Sequence, residues 1–146
     1  MRKVLAEVRV SRFLTPGQGV TALAAQDSLT KVIDRLSEAP HSVLPVVDAN
    51  NRLLGVVNLE EVHLASQSPS LQSLVVCEDL MRSDVQPLTP DDTLDRALEL
   101  FVENDLLSLP VVANLEERQV LGMVSRFDIS STYLRHIHGP AEPKEG

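Results

Sequence analysis

Apolar residues along this chain come in short blocks of two kinds. Leu107-Ser108-Leu109-Pro110-Val111-Val112 and Val120-Leu121-Gly122-Met123-Val124 are near-continuous runs rich in valine, separated by the polar stretch Asn114-Leu115-Glu116-Glu117-Arg118. Runs of that length bounded by turn residues predict a β-hairpin, and its second strand passes directly into a helix at Ser125. The same sentence is written earlier. Ser42 to Val47 and Leu53 to Val57 flank the turn Asp48-Ala49-Asn50-Asn51, and Asn58 opens the helix that follows. Leu44-Pro45-Val46-Val47 returns 65 positions later as Leu109-Pro110-Val111-Val112, and Leu54-Gly55-Val56-Val57 returns 67 positions later as Leu121-Gly122-Met123-Val124. The chain is a duplication.

The second kind of block has helical spacing. Leu29, Val32, Ile33 and Leu36 recur at i, i+3, i+4, i+7 after Ser28 and stop at Ala39-Pro40; Leu94, Ala97, Leu98 and Phe101 do the same after Thr89-Pro90-Asp91-Asp92, whose acids suit the positive end of a helix. The helix after Asn58 turns Leu59, Val62 and Leu64 toward the apolar side, and the last helix runs from Arg126 to about His136. Short strands are predicted at Val20 to Ala24 and, interrupted by Pro87, at Val85 to Leu88. Val4, Leu5 and Val8 have helical spacing, while Val8-Arg9-Val10 also reads as a strand start. Thr15-Pro16-Gly17-Gln18-Gly19 is a break. Glu78-Asp79-Leu80-Met81 is a short helical or turn element. The uncharged, serine-rich stretch 66–74 is a linker, and 137–146 a disordered tail. Each half therefore reads β-α-β-β-α, over residues 8–65 and 75–136. The fold class is α/β: two small mixed sheets with helices against them, packed on each other because about sixty residues alone make a marginal core.

Composition narrows the partners. A formal charge of -8 argues against nucleic acid and anionic membrane surfaces, both of which need clustered cations, and leaves room only for a local basic pocket. No apolar run reaches the length of a membrane span, and the N-terminus lacks the order of a signal peptide. The single cysteine, Cys77, fits a reducing, cytoplasmic setting and has no neighbours that would build a nucleophile. His136 and His138 point to different faces of a helix and lack further metal ligands. No glycine-rich phosphate loop or paired catalytic carboxylates emerge, so an enzyme is not expected.

Both halves resemble the cystathionine β-synthase (CBS) domain, and the whole resembles the tandem pair called a Bateman module. The resemblance is carried by Asp-Ser/Thr-Leu before a helix (27–29 and 92–94), by the doubled Leu-Pro-Val-Val and Leu-Gly-hydrophobic-Val, and by Ser125-Arg126-Phe127-Asp128. It implies two repeats related by a pseudo-two-fold axis, a homodimer, and a regulatory module that binds AMP, ADP, ATP or S-adenosylmethionine between the repeats. The ending Tyr133-Leu134-Arg135-His136 is similar to the cytoplasmic tail of bacterial ClC-type chloride channels and transporters, which implies a membrane-embedded partner domain.

By that resemblance Asp128 accepts hydrogen bonds from ribose hydroxyls, and adenine lies against His41, Ser42, Val43 and Pro45 with Thr21 and Met123 nearby. Phosphates point to the free amides of the helix starting at Ser125, with Arg126 adding a cation. Ser125-x-x-Asp128 is equally a capping box, in which serine takes an amide of the first turn and the acid returns to the cap amide. A second, weaker site would place Glu61 and Asn58 where Asp128 and Ser125 stand, lined by Leu107, Ser108, Leu109 and Pro110. A ligand-free structural dimerisation module is the alternative to the sensing role.

Overall fold

Duplication in the sequence becomes duplication in space. The computed structural model describes residues 6–14, 19–39 and 41–138, with the backbone alone for 136–138. The expectations for Val4, Leu5, Thr15 to Gln18, Pro40, the side chains of His136 and His138, and residues 139–146 lie outside the described residues. The first repeat consists of β1 (Leu23–Ala24), α1 (Leu29–Glu38), β2 (Val43–Val47), β3 (Leu53–Asn58) and α2 (Leu59–Ser66). Two one-turn helices, α3 (Pro69–Gln72) and α4 (Cys77–Leu80), lead to the second: α5 (Leu94–Asn104), β4 (Ser108–Val112), β5 (Val120–Ser125) and α6 (Arg126–His138).

In the first repeat β2 pairs parallel to β1 and antiparallel to β3, with Leu44 opposite Val57. In the second, β4 and β5 pair antiparallel with Leu109 opposite Val124, the matching register. The strand expected at Val85 to Leu88 shrinks to a single parallel bridge between Leu88 and Val111. Pro87 has no N–H to lengthen it. The strand expected from Val20 likewise contracts to Leu23–Ala24.

The hairpin tips interlock across the pseudo-two-fold axis. Asn51 (φ 62°) and Arg118 (φ 57°) each sit in the left-handed region, which turns their carbonyls toward the opposite hairpin. Arg118 O accepts the Leu53 N–H at 2.8 Å, and Asn51 O accepts the Val120 N–H at 3.1 Å. Beneath each tip an Asx-type turn closes the loop, with Asp48 Oδ1 accepting the amides of Asn50 and Arg52 and Asn114 Oδ1 those of Glu116 and Glu117. The Arg52 amide, ahead of the Asn50 amide, holds the Asp48 carboxyl below its ordinary range.

Three residues assigned to apolar stripes face outward. Leu29, Val32 and Leu36 are buried and fall within about 60° of arc on α1; Ile33 lies about 40° beyond that arc and is 37% exposed. On α2 the buried side is Val62 and Ala65, which leaves Leu59 half-exposed and Leu64 in solvent.

The segment preceding each repeat packs on the other one. Val10 donates its N–H to Asp92 O at 2.8 Å and buries its side chain with Leu94 and Phe101, so residues 8–14, counted with the first repeat along the chain, complete the core of the second. Reciprocally, the Cys77 N–H donates to Asp27 O at 2.8 Å, and the thiol lies in the core with Leu29, Val32 and Leu36. The two repeats are thereby stitched together by exchanged segments. Burial, with a smaller contribution from the Asp27 charge, pushes the Cys77 thiol up to about 12. At pH 8 a thiol reagent such as Ellman's is expected to label this cysteine within minutes in guanidinium and negligibly over the same interval in the folded protein; equal rates would place Cys77 outside the core.

The repeated glycines mark where the exchanged segments cross the sheets. A Cβ on Gly55 would stand 2.4 Å from the backbone O of Arg82, and one on Gly122 would stand 2.8 Å from Leu14 Cδ2. Gly55 thus lies under the backbone of the second exchanged segment, where Val56 and Arg82 exchange both N–H to O bonds at 3.0 and 2.8 Å. At Gly122 the neighbour is a side chain of the first.

Candidate functional site

At the end of β5 the chain passes into α6 through a reciprocal cap. The Asp128 N–H donates to Ser125 Oγ at 3.1 Å, and the Ser125 N–H donates to Asp128 Oδ2 at 3.0 Å. The capping box is therefore real, and it occupies one carboxylate oxygen. Asp128 is nonetheless half-buried on the wall of an outer cavity of about 660 Å3, together with Ser125, Arg126 and Phe127 from its own repeat. The opposite wall brings His41 and Ser42 from the start of β2. Capping and lining are compatible, because a carboxylate has about four lone-pair directions and the cap uses one.

An inner cavity of about 210 Å3 adjoins the outer one, sharing Phe13, His41 and Met123 with it. Its remaining walls are mostly apolar or backbone, including Leu14, Val20, Leu44 and Gly122, with the Thr21 hydroxyl as a polar exception. Together the two hollows form a cleft with a narrow end walled by apolar side chains and polar backbone groups and a wider end carrying one carboxylate and one guanidinium. His41 stands at the junction, its Nδ1 3.1 Å from the Oγ of Ser108 in the other repeat.

The structure thus brings together Asp128, Ser125, Arg126, Met123, His41 and Ser42, with Thr21 reached through the inner cavity. Val43 and Pro45 are fully buried in β2 and line neither hollow, so their side chains are core. The free amides expected at the start of α6 are largely spent: the Arg126 N–H donates to Leu107 O at 2.9 Å and that of Asp128 to Ser125. Positive charge at this end comes from the Arg126 side chain. Phe13 lines both hollows and was not anticipated. It arrives on the exchanged segment, whose destination leaves no local signal in the sequence.

The second site is built differently from the expectation. A cavity of about 710 Å3 does lie beside Asn58, lined also by Ser42, Leu107, Arg82 and Arg126. Ser108, assigned to it, lies instead on the outer cavity beside His41, while Leu109 and Pro110 are buried in β4. Glu61 does not line it either. Arg82 Nε donates to Glu61 Oε1 at 3.1 Å and Arg82 Nη1 to Asn104 O at 2.9 Å, so the carboxylate expected to grip a diol is committed to a guanidinium. The Asn58 side chain makes no cap bond to its helix.

A β-α-β-β-α repeat and an α-β-β-α repeat whose leading strand is reduced to the Leu88 bridge, with exchanged leading segments and a cleft between them, define a tandem-repeat α/β module. The chain belongs to the CBS domain family: the CBS domain model matches residues 10–67 and 77–135, one match per repeat. Its fold is similar to the CBS domain pair of protein MJ0100 in complex with 5′-methylthioadenosine and S-adenosyl-L-methionine (TM-score 0.75, 21% identity, 88% of this chain and 98% of that one). It is similar also to CBSX2 of Arabidopsis thaliana, solved in complex with AMP (TM-score 0.73, 26% identity, 88% and 98%). In sequence it is 31% identical over 110 residues to a 33.4 kDa protein in the ribosomal RNA operon of Thermofilum pendens, covering 71% of this chain and 36% of that protein. It is 33% identical over 87 residues to homoserine O-acetyltransferase of Methanohalobium evestigatum, covering 60% of this chain and 17% of the enzyme. The chain thus spans about a third or less of the length of these two relatives. Among the described residues no group of three or more His, Cys, Asp or Glu could hold a metal ion, and no helix is long and apolar enough to cross a membrane.

Proposed function

We propose that this module senses an adenosine-containing ligand in the cleft between its repeats and passes the bound state to an attached or partner protein. The observation that carries the reading is the Asp128 carboxylate on the cavity wall with acceptor capacity left after capping. The base takes the inner hollow between Phe13, His41 and Met123, the ribose diol takes Asp128, and an anionic substituent faces Arg126. The ligands crystallised with the two structural relatives, AMP, 5′-methylthioadenosine and S-adenosyl-L-methionine, have this base-plus-diol form. Binding bridges both repeats, so it can favour one of their relative arrangements to the extent that the two arrangements differ in affinity.

Calorimetric titration of the purified chain with AMP, ADP, ATP and S-adenosylmethionine tests this, with about one equivalent bound per chain as the expected result. The single stoichiometry follows from Glu61, which pairs with Arg82 and does not line the second cavity. No heat or thermal shift with any of the four would leave the alternative, a ligand-free structural dimerisation module, which the closed Glu61–Arg82 pair already favours for the second cleft. A cytoplasmic homodimer is part of the proposal, and a monomer in sedimentation at working concentration would refute that part. So is the effector: the ending at Tyr133 to His136 suggests a ClC-type membrane protein, and a complete gene product without membrane helices would remove it.

A further inference from the structure

The two clefts are pseudo-symmetric, yet one cross-repeat contact exists on one side alone. At an offset of 65, the partners of His41 and Ser108 are Leu106 and Val43, both apolar and buried. The His41–Ser108 bond is thus particular to the cleft that carries Asp128. Ser108 is 2% exposed and opens β4, which fixes its hydroxyl from the side of the second repeat, while His41 opens the approach to β2 in the first. A histidine ring with Nδ1 so engaged keeps Nε2 as its one other hydrogen-bonding atom. The ring is common to the inner and outer hollows, and among the described residues of the inner one Thr21 is the other side chain with a polar group.

From this placement we propose that His41, anchored by Ser108, is a specificity-determining residue that reads the polar edge of the base lodged in the inner hollow. The inference rests on the adenosine reading above and adds which group selects the base. A slot whose side chains are mostly apolar grips any purine by shape, and its polar backbone groups are common to any sequence at these positions; a side-chain choice between an amino and a keto edge requires a polar group whose partner must match. Thr21 alone would leave a freely rotating hydroxyl, which adapts as donor or acceptor and selects weakly.

The test compares AMP with IMP, which differ at the six-membered ring edge, by titration of the intact chain and three variants. Wild type is expected to prefer one of the pair by about tenfold, the scale of one matched hydrogen bond in a shielded site. His41→Phe fills the same space without polar atoms and is expected to bind both nucleotides alike. His41→Gln, whose amide can reach the position of Nε2, is expected to keep part of the preference, and His41→Asn, which mimics Nδ1 alone, to lose it. Thermal melts of each variant identify any loss caused by unfolding. A preference unchanged in folded His41→Phe overturns the assignment, as does equal binding of AMP and IMP by wild type, which leaves the adenosine site itself standing. Binding of neither nucleotide nor of any other adenosine ligand by wild type overturns both.

Discussion

Gly55→Ala is expected to destabilise the protein by about 3 kcal/mol, a drop of roughly 10 °C in its melting temperature, whereas Gly122→Ala costs under about 1 kcal/mol. The two glycines occupy equivalent places in equivalent strands, and their local sequences, Leu-Gly-Val-Val and Leu-Gly-Met-Val, would not separate them. What separates them is the neighbour. A methyl on Gly55 meets the Arg82 carbonyl oxygen at 2.4 Å and its carbon at 3.1 Å, atoms that cannot swing aside without breaking the paired bonds between Val56 and Arg82. A methyl on Gly122 meets the tip of Leu14, which has other rotamers. Gly122 also lines the inner hollow, so its methyl intrudes where the base is proposed to sit, and ligand affinity should fall about tenfold in a protein that melts almost normally. Differential scanning calorimetry on both variants, followed by titration with AMP, measures the contrast. Equal losses of stability would mean that the exchanged segments do not cross the sheets as described.

That pair of glycines also shows how far the sequence could be read. The doubling of Leu-Pro-Val-Val and Leu-Gly-hydrophobic-Val was visible and located both hairpins, because short apolar runs flanking a polar turn have few alternatives; their matching register came from the structure. The Ser125–Asp128 cap was equally visible, since its partners lie three residues apart. Contacts made by the exchanged segments were not. Phe13 and Leu14 enter the first cleft, and Arg82 enters the second, along stretches whose sequence reads as an ambiguous start and a short turn. The two crossings deliver different chemistry: a leucine beside Gly122 adds an apolar side chain to the first cleft, and an arginine beside Gly55 pairs with Glu61. Asymmetry between the clefts therefore depends on which residue the crossing segment carries, information that resides some 27 positions downstream of Gly55 and 108 upstream of Gly122. Misplacing Ser108 has the same origin. Its strand is shared between both clefts, and only the approach of His41 decides which one its hydroxyl faces.

Asp128 is where capping and binding meet, and variants can pull the two apart. Asp128→Ala removes the acceptor for the Ser125 N–H and the proposed acceptor for the diol. It is expected to cost about 1 kcal/mol of stability, as loss of a helix cap does, and roughly 100-fold in affinity, the scale of two charge-assisted hydrogen bonds. Asp128→Asn keeps a carbonyl oxygen for the Ser125 amide, so stability should stay within about 0.5 kcal/mol of wild type, yet it puts an NH2 and no charge toward the cavity and should still lose at least about tenfold in affinity. Ser125→Ala breaks only the bond from the Asp128 N–H to Ser125 Oγ, and its effect should fall on stability with affinity changed by a factor of about three or less. A ligand without the diol completes the cycle. 2′-Deoxy-AMP should bind wild type about tenfold more weakly than AMP and bind Asp128→Ala no more weakly than AMP does, because the lost hydroxyl and the lost carboxylate are then partners in one interaction. Wild-type affinity for AMP in Asp128→Ala, or the same penalty for the deoxy ligand with and without the carboxylate, would reduce Asp128 to its cap.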